Sequence, residues 1–240
     1  MILTAHQPVY LPWLGLFHKI AIADLFISFD QVQYLKKDWN NRNKVKSNQG
    51  PVWLTVPVLS KGHFEKRICD IEINNSLPWA RKHWRTIKTA YSKAPYFKRY
   101  ADFFEDLYHQ KWDFLNELNL YMLKWFLSTL GIKVPVRSAG EWNFTGTKSD
   151  LILDMCKQVG ADYYIFGELG KDYADTLSFE RAGISVHFQN YTHPAYPQLH
   201  GDFVSHLSII DLLFNCGDES LDRLLCDNAV QTDLTGGIMN

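Results

Sequence analysis

The residues best suited to chemistry stand near the start of the chain. His6 follows a short apolar run at 2–5 and directly precedes Gln7-Pro8-Val9-Tyr10-Leu11-Pro12. Each proline removes a backbone donor and biases its predecessor away from helix, so this segment is a stiff loop. A helix should open at Pro12 or Trp13, because Trp13, Leu14, Phe17, Ile20 and Ala21 recur at helical spacing. An imidazole between a strand end and a helix start has unpaired backbone amides beside it. Those amides favour an anion, and the imidazole can donate a hydrogen bond or carry a proton. Asp30 ends the next apolar run, 25–29, and is expected to lie beside His6. There it would orient the imidazole, bind a sugar hydroxyl or hold a cation; a turn-starting Asp that caps backbone donors is an equal reading.

Other polar residues fall in loops of the same kind. Gln7, Tyr10 and Gln33 extend the polar edge, and Arg42 and Asn43 end the stretch Trp39-Asn40-Asn41-Arg42-Asn43. A guanidinium there suits a phosphate or carboxylate held through its planar fork, and a surface turn is the plain alternative. His193-Pro194-Ala195-Tyr196-Pro197-Gln198 forms a second proline-stiffened loop and nominates His193, Tyr196 and Gln198. Gly167-Glu168-Leu169-Gly170-Lys171 is neither GxGxxG nor a P-loop, so close approach to a ligand and a simple turn compete there. His18 reads as a structural histidine on the apolar side of its helix. His193, His200 and His206 are too loosely spaced, without a Cys partner or HExxH, to read as a zinc site. No metal ligands are assigned. With no GxSxG, and with Cys156 and Cys216 inside apolar helical patterns, nucleophilic catalysis lacks support.

These loops need a sheet to hold them. Strand at 2–5, a helix and strand at 25–29 make a βαβ unit with parallel pairing. Further strands are expected at 52–58, 68–73, 162–166 and 184–188, and helices at about 78–92, 96–130, 149–159, 178–182 and 208–215. Gly131 and Gly160 read as helix stops. The fold class is therefore α/β, a mainly parallel Rossmann-like sheet, with one domain over 1–217, a helical insertion at about 78–131, and a helical turn and flexible tail over 218–240. In such sheets ligands sit at the carboxyl ends of the strands, which selects the loops 6–12, 30–43, 167–172 and 189–200.

Composition narrows the partners. Of 240 residues, 46% are hydrophobic and 21% charged, as in a packed globule. With 25 basic and 26 acidic residues the net charge is −1, too low for a phosphate-backbone binder. The basic cluster Lys36, Lys37, Arg42, Lys44 and Lys46 reads as a solvated loop, so no nucleic acid is expected. No apolar run approaches the ~20 residues that span a bilayer. Four cysteines without paired spacing and no leader-like start point to the cytoplasm. Aromatics at 15%, 8 of them Trp, mildly favour a pocket for a sugar or nucleotide.

The layout of the first loop is similar to the nucleotidylyltransferase fold, although His6-Gln7-Pro8 stands in place of HxGH. A broader likeness runs along the chain. The pieces are His6-Gln7-Pro8-x-Tyr10-Leu11-Pro12-Trp13-x-Gly15, Lys19-Ile20, Asp24, Asp30-x-Val32-Gln33-Tyr34, Asn41-Arg42-Asn43, Trp53-Leu54-Thr55-Val56-Pro57, Tyr91-x-Lys93-Ala94-Pro95, His193-Pro194-x-Tyr196-x-Gln198, and Leu207-Ser208-Ile209-Ile210-Asp211-Leu212-Leu213-Phe214-Asn215-x-Gly217. In these the chain resembles the WbqC-like family, encoded among bacterial O-antigen and other surface-polysaccharide genes. The resemblance implies a transferase of surface-glycan biosynthesis, with acyl or aminoacyl (glycyl) transfer to an amino sugar or nucleotide-linked sugar. The donor would be a carrier-protein or CoA thioester. His6 is then the base, Asp30 its orienting partner, and Gln7, Tyr10, Gln33, Arg42, Asn43, His193, Tyr196 and Gln198 bind substrate. Nucleotidyl or adenylyl transfer using a nucleotide with magnesium, and a non-catalytic glycan-assembly role, are the alternatives.

Overall fold

A computed structural model of the chain describes residues 1–59 and 66–235. β1 (Ile2–His6), α1 (Leu14–Ala21) and β2 (Leu25–Ser28) form the expected βαβ unit, with His6 opposite Ser28 in a parallel ladder. β3 (Arg42–Ser47) and β4 (Gly50–Thr55) pair as a separate antiparallel hairpin. Three helices follow: α2 (Trp79–Tyr91), α3 (Phe97–His109) and α4 (Leu115–Leu130). The chain then returns to the sheet through β5 (Val136–Ser138), α5 (Lys148–Val159), β6 (Tyr163–Phe166), α6 (Thr176–Arg181) and β7 (Ser185–Phe188). It closes with α7 (Ile209–Cys216), α8 (Ser220–Leu225) and α9 (Gln231–Thr235).

The sheet order is β5-β2-β1-β6-β7, and every pairing in it is parallel. Numbered as they enter this sheet, its strands run 3-2-1-4-5, the Rossmann-like order. Alternation along each strand feeds two cores, since successive side chains point to opposite faces. Leu3, Ala5, Ile27, Tyr164 and Phe166 pack under α5 and α6 with Ile152, Met155 and Phe179. On the other face Phe26 joins a larger core built from α1, the three helices α2–α4 and α7. Helices on both faces are what an all-parallel sheet requires. Most of the aromatic excess is spent in that larger core, where Phe97, Phe104, Phe126 and Phe214 make ring contacts.

Several expectations are corrected. The stretch 68–73 is not a strand but a 3-10 turn, Ile68–Asp70. Ile68 and Ile71, three apart, are both fully buried, and a tight turn satisfies that spacing where strand alternation does not. β3 occupies what read as a solvated basic loop, and Lys46 on it is 2% exposed. The Lys46 ammonium is buried because it donates to Gln198 Oε1 (3.2 Å) and to the Asp202 carbonyl (2.5 Å). β5 was not anticipated, being only three residues at a sheet edge. The end of the chain packs back on the sheet's first unit: His18 Nε2 donates to the Ala229 carbonyl (2.9 Å) and Gln231 Nε2 to Asp24 (2.6 Å). Residues 236–240, the last part of the expected tail, lie outside the described residues.

Gly131 and Gly160 end α4 and α5 in the left-handed region, as expected. Gly217, after α7, has φ 56° and ψ −123°, and a Cβ there would collide with the Tyr96 ring. Gly217→Ala combines backbone strain with overpacking, each typically costing about 1–3 kcal/mol. We expect a loss of about 3 kcal/mol in urea unfolding. A change under about 1 kcal/mol would mean that Tyr96 moves aside freely.

Candidate functional site

In a sheet of this order the crevice opens where successive connections diverge, between the carboxyl ends of β1 and β6. A cavity of about 950 Å³ lies there. His6 and Gln7 form its floor at the end of β1, beside Phe166 to Gly170 after β6. Trp13, Leu16 and Lys19 of the α1 segment make one wall, and Asp38, Trp39 and Asn40 a second. Lys148 and Leu151 of α5 close a third side, and Gln189, Tyr191, His193 and His206 a fourth. The volume and the mix of aromatic walls with a few polar groups suit a nucleotide-sized ligand.

His6 is held by its own loop. Its Nδ1 lies 2.8 Å from the Gln7 carbonyl, which can only accept, so Nδ1 carries the proton and Nε2 is the acceptor. Trp13 meets the ring edge-on at 5.2 Å. Burial first and the Lys19 charge second push the imidazole down to about 3, so it is neutral at physiological pH. Asp30 does not orient it. The Asp30 carboxylate is buried and accepts from Asn116 Nδ2 (2.9 Å), Ser138 Oγ (2.9 Å) and Gln31 Nε2 (3.2 Å), tying β2 to β5 and α4. All three of these donors are side chains, so among the described residues Asp30 does not cap the backbone of its turn either.

Of the other candidates, Gln7 and His193 line the cavity. His193 is fully engaged: Nδ1 donates to the Pro194 carbonyl (3.0 Å) and Nε2 accepts from the His206 amide (3.2 Å). Neither ring nitrogen is therefore free to move a proton. The remaining nominees serve the scaffold. Tyr10 is buried between helices, its hydroxyl 2.8 Å from His83 Nδ1 and 2.5 Å from the Tyr108 hydroxyl. Asn43 donates to the Leu11 carbonyl (2.5 Å) and so clamps the first loop from below. Arg42 reaches the Lys37 carbonyl and lies over the Trp53 ring at 4.5 Å, while Gln33 sits exposed in a bridge to Arg67. Tyr196 and Gln198 both donate to Asp211 Oδ2 (2.9 and 2.7 Å). His18 is structural, as expected, with Gln189 Nε2 on its Nδ1 at 2.8 Å.

Two wall residues carry no site role in the sequence reading, although Lys19 belongs to the family-like piece Lys19-Ile20. Lys19 is 4% exposed, and among the described residues its Nζ makes one hydrogen bond, to the Ala5 carbonyl (3.0 Å), and no ion pair. Burial lowers it to about 8. Asn40, 2% exposed, donates to the Pro8 carbonyl (2.8 Å), while its Oδ1 is buried without a partner. Lys19 falls at helical spacing from Gly15, on the face turned toward the end of β1, which was the available signal.

The fold and cavity together define a Rossmann-like α/β protein with a large cavity at the carboxyl end of its first strand. The sequence model of the WbqC-like protein family matches residues 7–223, and the chain belongs to that family. It is 37% identical over 220 residues to the uncharacterized protein Rv1507c of Mycobacterium tuberculosis (strain ATCC 25618 / H37Rv), covering 91% of this chain and 95% of that protein. No solved structure matches the chain. Among the described residues no helix is long and apolar enough to cross a membrane.

Proposed function

We propose that this protein is a cytoplasmic transferase of surface-glycan assembly, moving an acyl or aminoacyl group, glycyl foremost, from a thioester to an amino sugar or nucleotide-linked amino sugar. The observation that carries this reading is the neutral imidazole of His6, with Nδ1 spent on the Gln7 carbonyl and Nε2 left to accept, on the floor of a large aromatic-walled cavity. In the reaction the amine nitrogen attacks the thioester carbonyl, the C–N bond forms and the C–S bond breaks. His6 Nε2 takes the proton from the amine and returns it to the departing thiolate, so the base is regenerated. Trp13, Trp39 and Tyr191 supply apolar faces for a sugar ring or base.

The test is thermal unfolding against nucleotide-linked amino sugars, free amino sugars, glycyl and acyl thioesters, and nucleoside triphosphates with magnesium, followed by mass spectrometry of mixtures that shift. Amide formation on an amino sugar is the expected result. Pyrophosphate release from a triphosphate would replace this reading with nucleotidyl transfer. Binding of a sugar ligand without turnover by any donor would replace it with a glycan-assembly role.

A further inference from the structure

Lys19 is a cation with no counter-ion among the described residues. Its Nζ is buried at the cavity wall, it makes one hydrogen bond to a neutral carbonyl, and no described carboxylate pairs with it. Two acidic residues, Asp38 and Glu168, belong to the cavity but form no ion pair with it. A charge kept this way is costly unless something neutralises it, and the group that can reach it is one that enters the cavity. One further observation shapes that group. Trp13, Trp39 and Tyr191 stand on the walls, and about 950 Å³ is more than a monosaccharide needs.

We propose that the cavity is a nucleoside-diphosphate site, in which Lys19 Nζ binds the diphosphate and the aromatic walls take the base or sugar. An ammonium is a point charge suited to phosphate oxygens, and the end of β1 is where this fold class places a pyrophosphate. The site is distinct in kind from the one the sequence suggested, because Arg42 faces Trp53 outside the cavity. The inference deepens the transferase reading by making the acceptor nucleotide-linked, and rests on that reading only for the cavity being the substrate site.

Calorimetric titration with inorganic pyrophosphate and with UDP, ADP, GDP and CDP tests it, for wild type, Lys19→Met and Lys19→Arg. At least one diphosphate should bind wild type, with affinity about tenfold or more lower in Lys19→Met, as expected for loss of a charge-assisted contact, and partly restored in Lys19→Arg. Should Lys19→Met fail to fold, acetic anhydride labelling of wild type gives the same answer: pyrophosphate or the nucleotide should protect Lys19. Binding of a free amino sugar or thioester but of no diphosphate would overturn the inference and leave the transferase reading standing. Diphosphate binding indifferent to Lys19, in titration or in labelling, would overturn it as well. Diphosphate binding that depends on Lys19 in a protein that forms no amide with any donor would instead count against the transferase reading and leave the diphosphate site standing.

Discussion

His6→Ala should lower amide formation by about 10²–10⁴-fold, the usual contribution of a positioned acid–base group, while leaving the unfolding midpoint nearly unchanged. The side chain makes one polar contact, to the adjacent Gln7 carbonyl, and its ring lies partly open to the cavity, so little of the core depends on it. His6→Asn separates two roles. Its amide can still donate to the Gln7 carbonyl and hold the loop, but it has no basic nitrogen. Activity as low as in His6→Ala assigns the proton transfer to Nε2. Recovery toward wild type would reduce His6 to a positioning residue. The pH profile supplies a second constraint. In the free protein the imidazole is pushed down to about 3, chiefly by burial and next by the Lys19 charge. An imidazole held that low is neutral above that point, so kcat/KM should show no acid limb near 6.5. An anion on Lys19 cancels the second cause, so the acid limb of kcat should lie above that of kcat/KM. Coincident limbs near 6.5 would show that the ring is not desolvated as the structure has it.

The parts of this architecture that the sequence made legible share one property: local chemistry decided them. The prolines around His6 and the apolar runs of β1 and β2 act within a few residues, and so do Gly131 and Gly160 at their helix ends. So the parallel sheet, its first crossover and the first loop could be read directly. What was not legible depended on partners far along the chain. Lys46 read as solvated because its acceptors, Gln198 and the carbonyls of Gly201 and Asp202, lie some 150 positions away. Asp30 sits where expected, at the end of β2, but Asn116 and Ser138 claim its carboxylate first. Tyr10, Asn43, Tyr196 and Gln198 are polar residues in or beside the promising loops, and each fastens a loop to the scaffold. Lys19 was passed over for the opposite reason: a lysine within a helix is nearly always a solvated one, and only the position of Ala5 beside its Nζ shows otherwise.

That fastening is substantial enough to measure at Asp211. This buried carboxylate accepts from Tyr91 (2.8 Å), Tyr196 (2.9 Å) and Gln198 (2.7 Å), and the Tyr91 hydroxyl accepts in turn from the Lys46 amide (2.9 Å). It thereby joins α7, α2, β3 and the loop after β7 in one network. Asp211→Ala leaves the buried Tyr91 and Tyr196 hydroxyls without their acceptor and Gln198 Nε2 with only the Val204 carbonyl, at about 1–3 kcal/mol for each buried donor, and we expect a loss on the order of 4 kcal/mol. For a chain of this length that lowers the midpoint by roughly 10 °C. The same loop carries Tyr191, His193 and His206 to the cavity wall, so hydrogen exchange across 189–206 should quicken and ligand affinity fall together. Unchanged exchange there would mean that the prolines alone hold the loop. Asp211→Asn gives the electrostatic half of the argument. Burial is the largest influence on the carboxyl and raises it above its ordinary value, despite the hydrogen bonds that pull the other way. A raised acid contributes stability that is complete below the unfolded value and is lost as pH rises through the folded one. The stability of wild type relative to Asp211→Asn should therefore grow as the solution is acidified from neutral toward pH about 4, the ordinary range of an aspartate. Buried imidazoles such as His83, held down to about 4 by burial, act oppositely: they destabilise the fold as pH falls below about 6.5. That loss is common to both proteins and cancels in the difference. A difference that shrinks on acidification would show that the three hydrogen bonds outweigh burial, making Asp211 an anchor held by its charge.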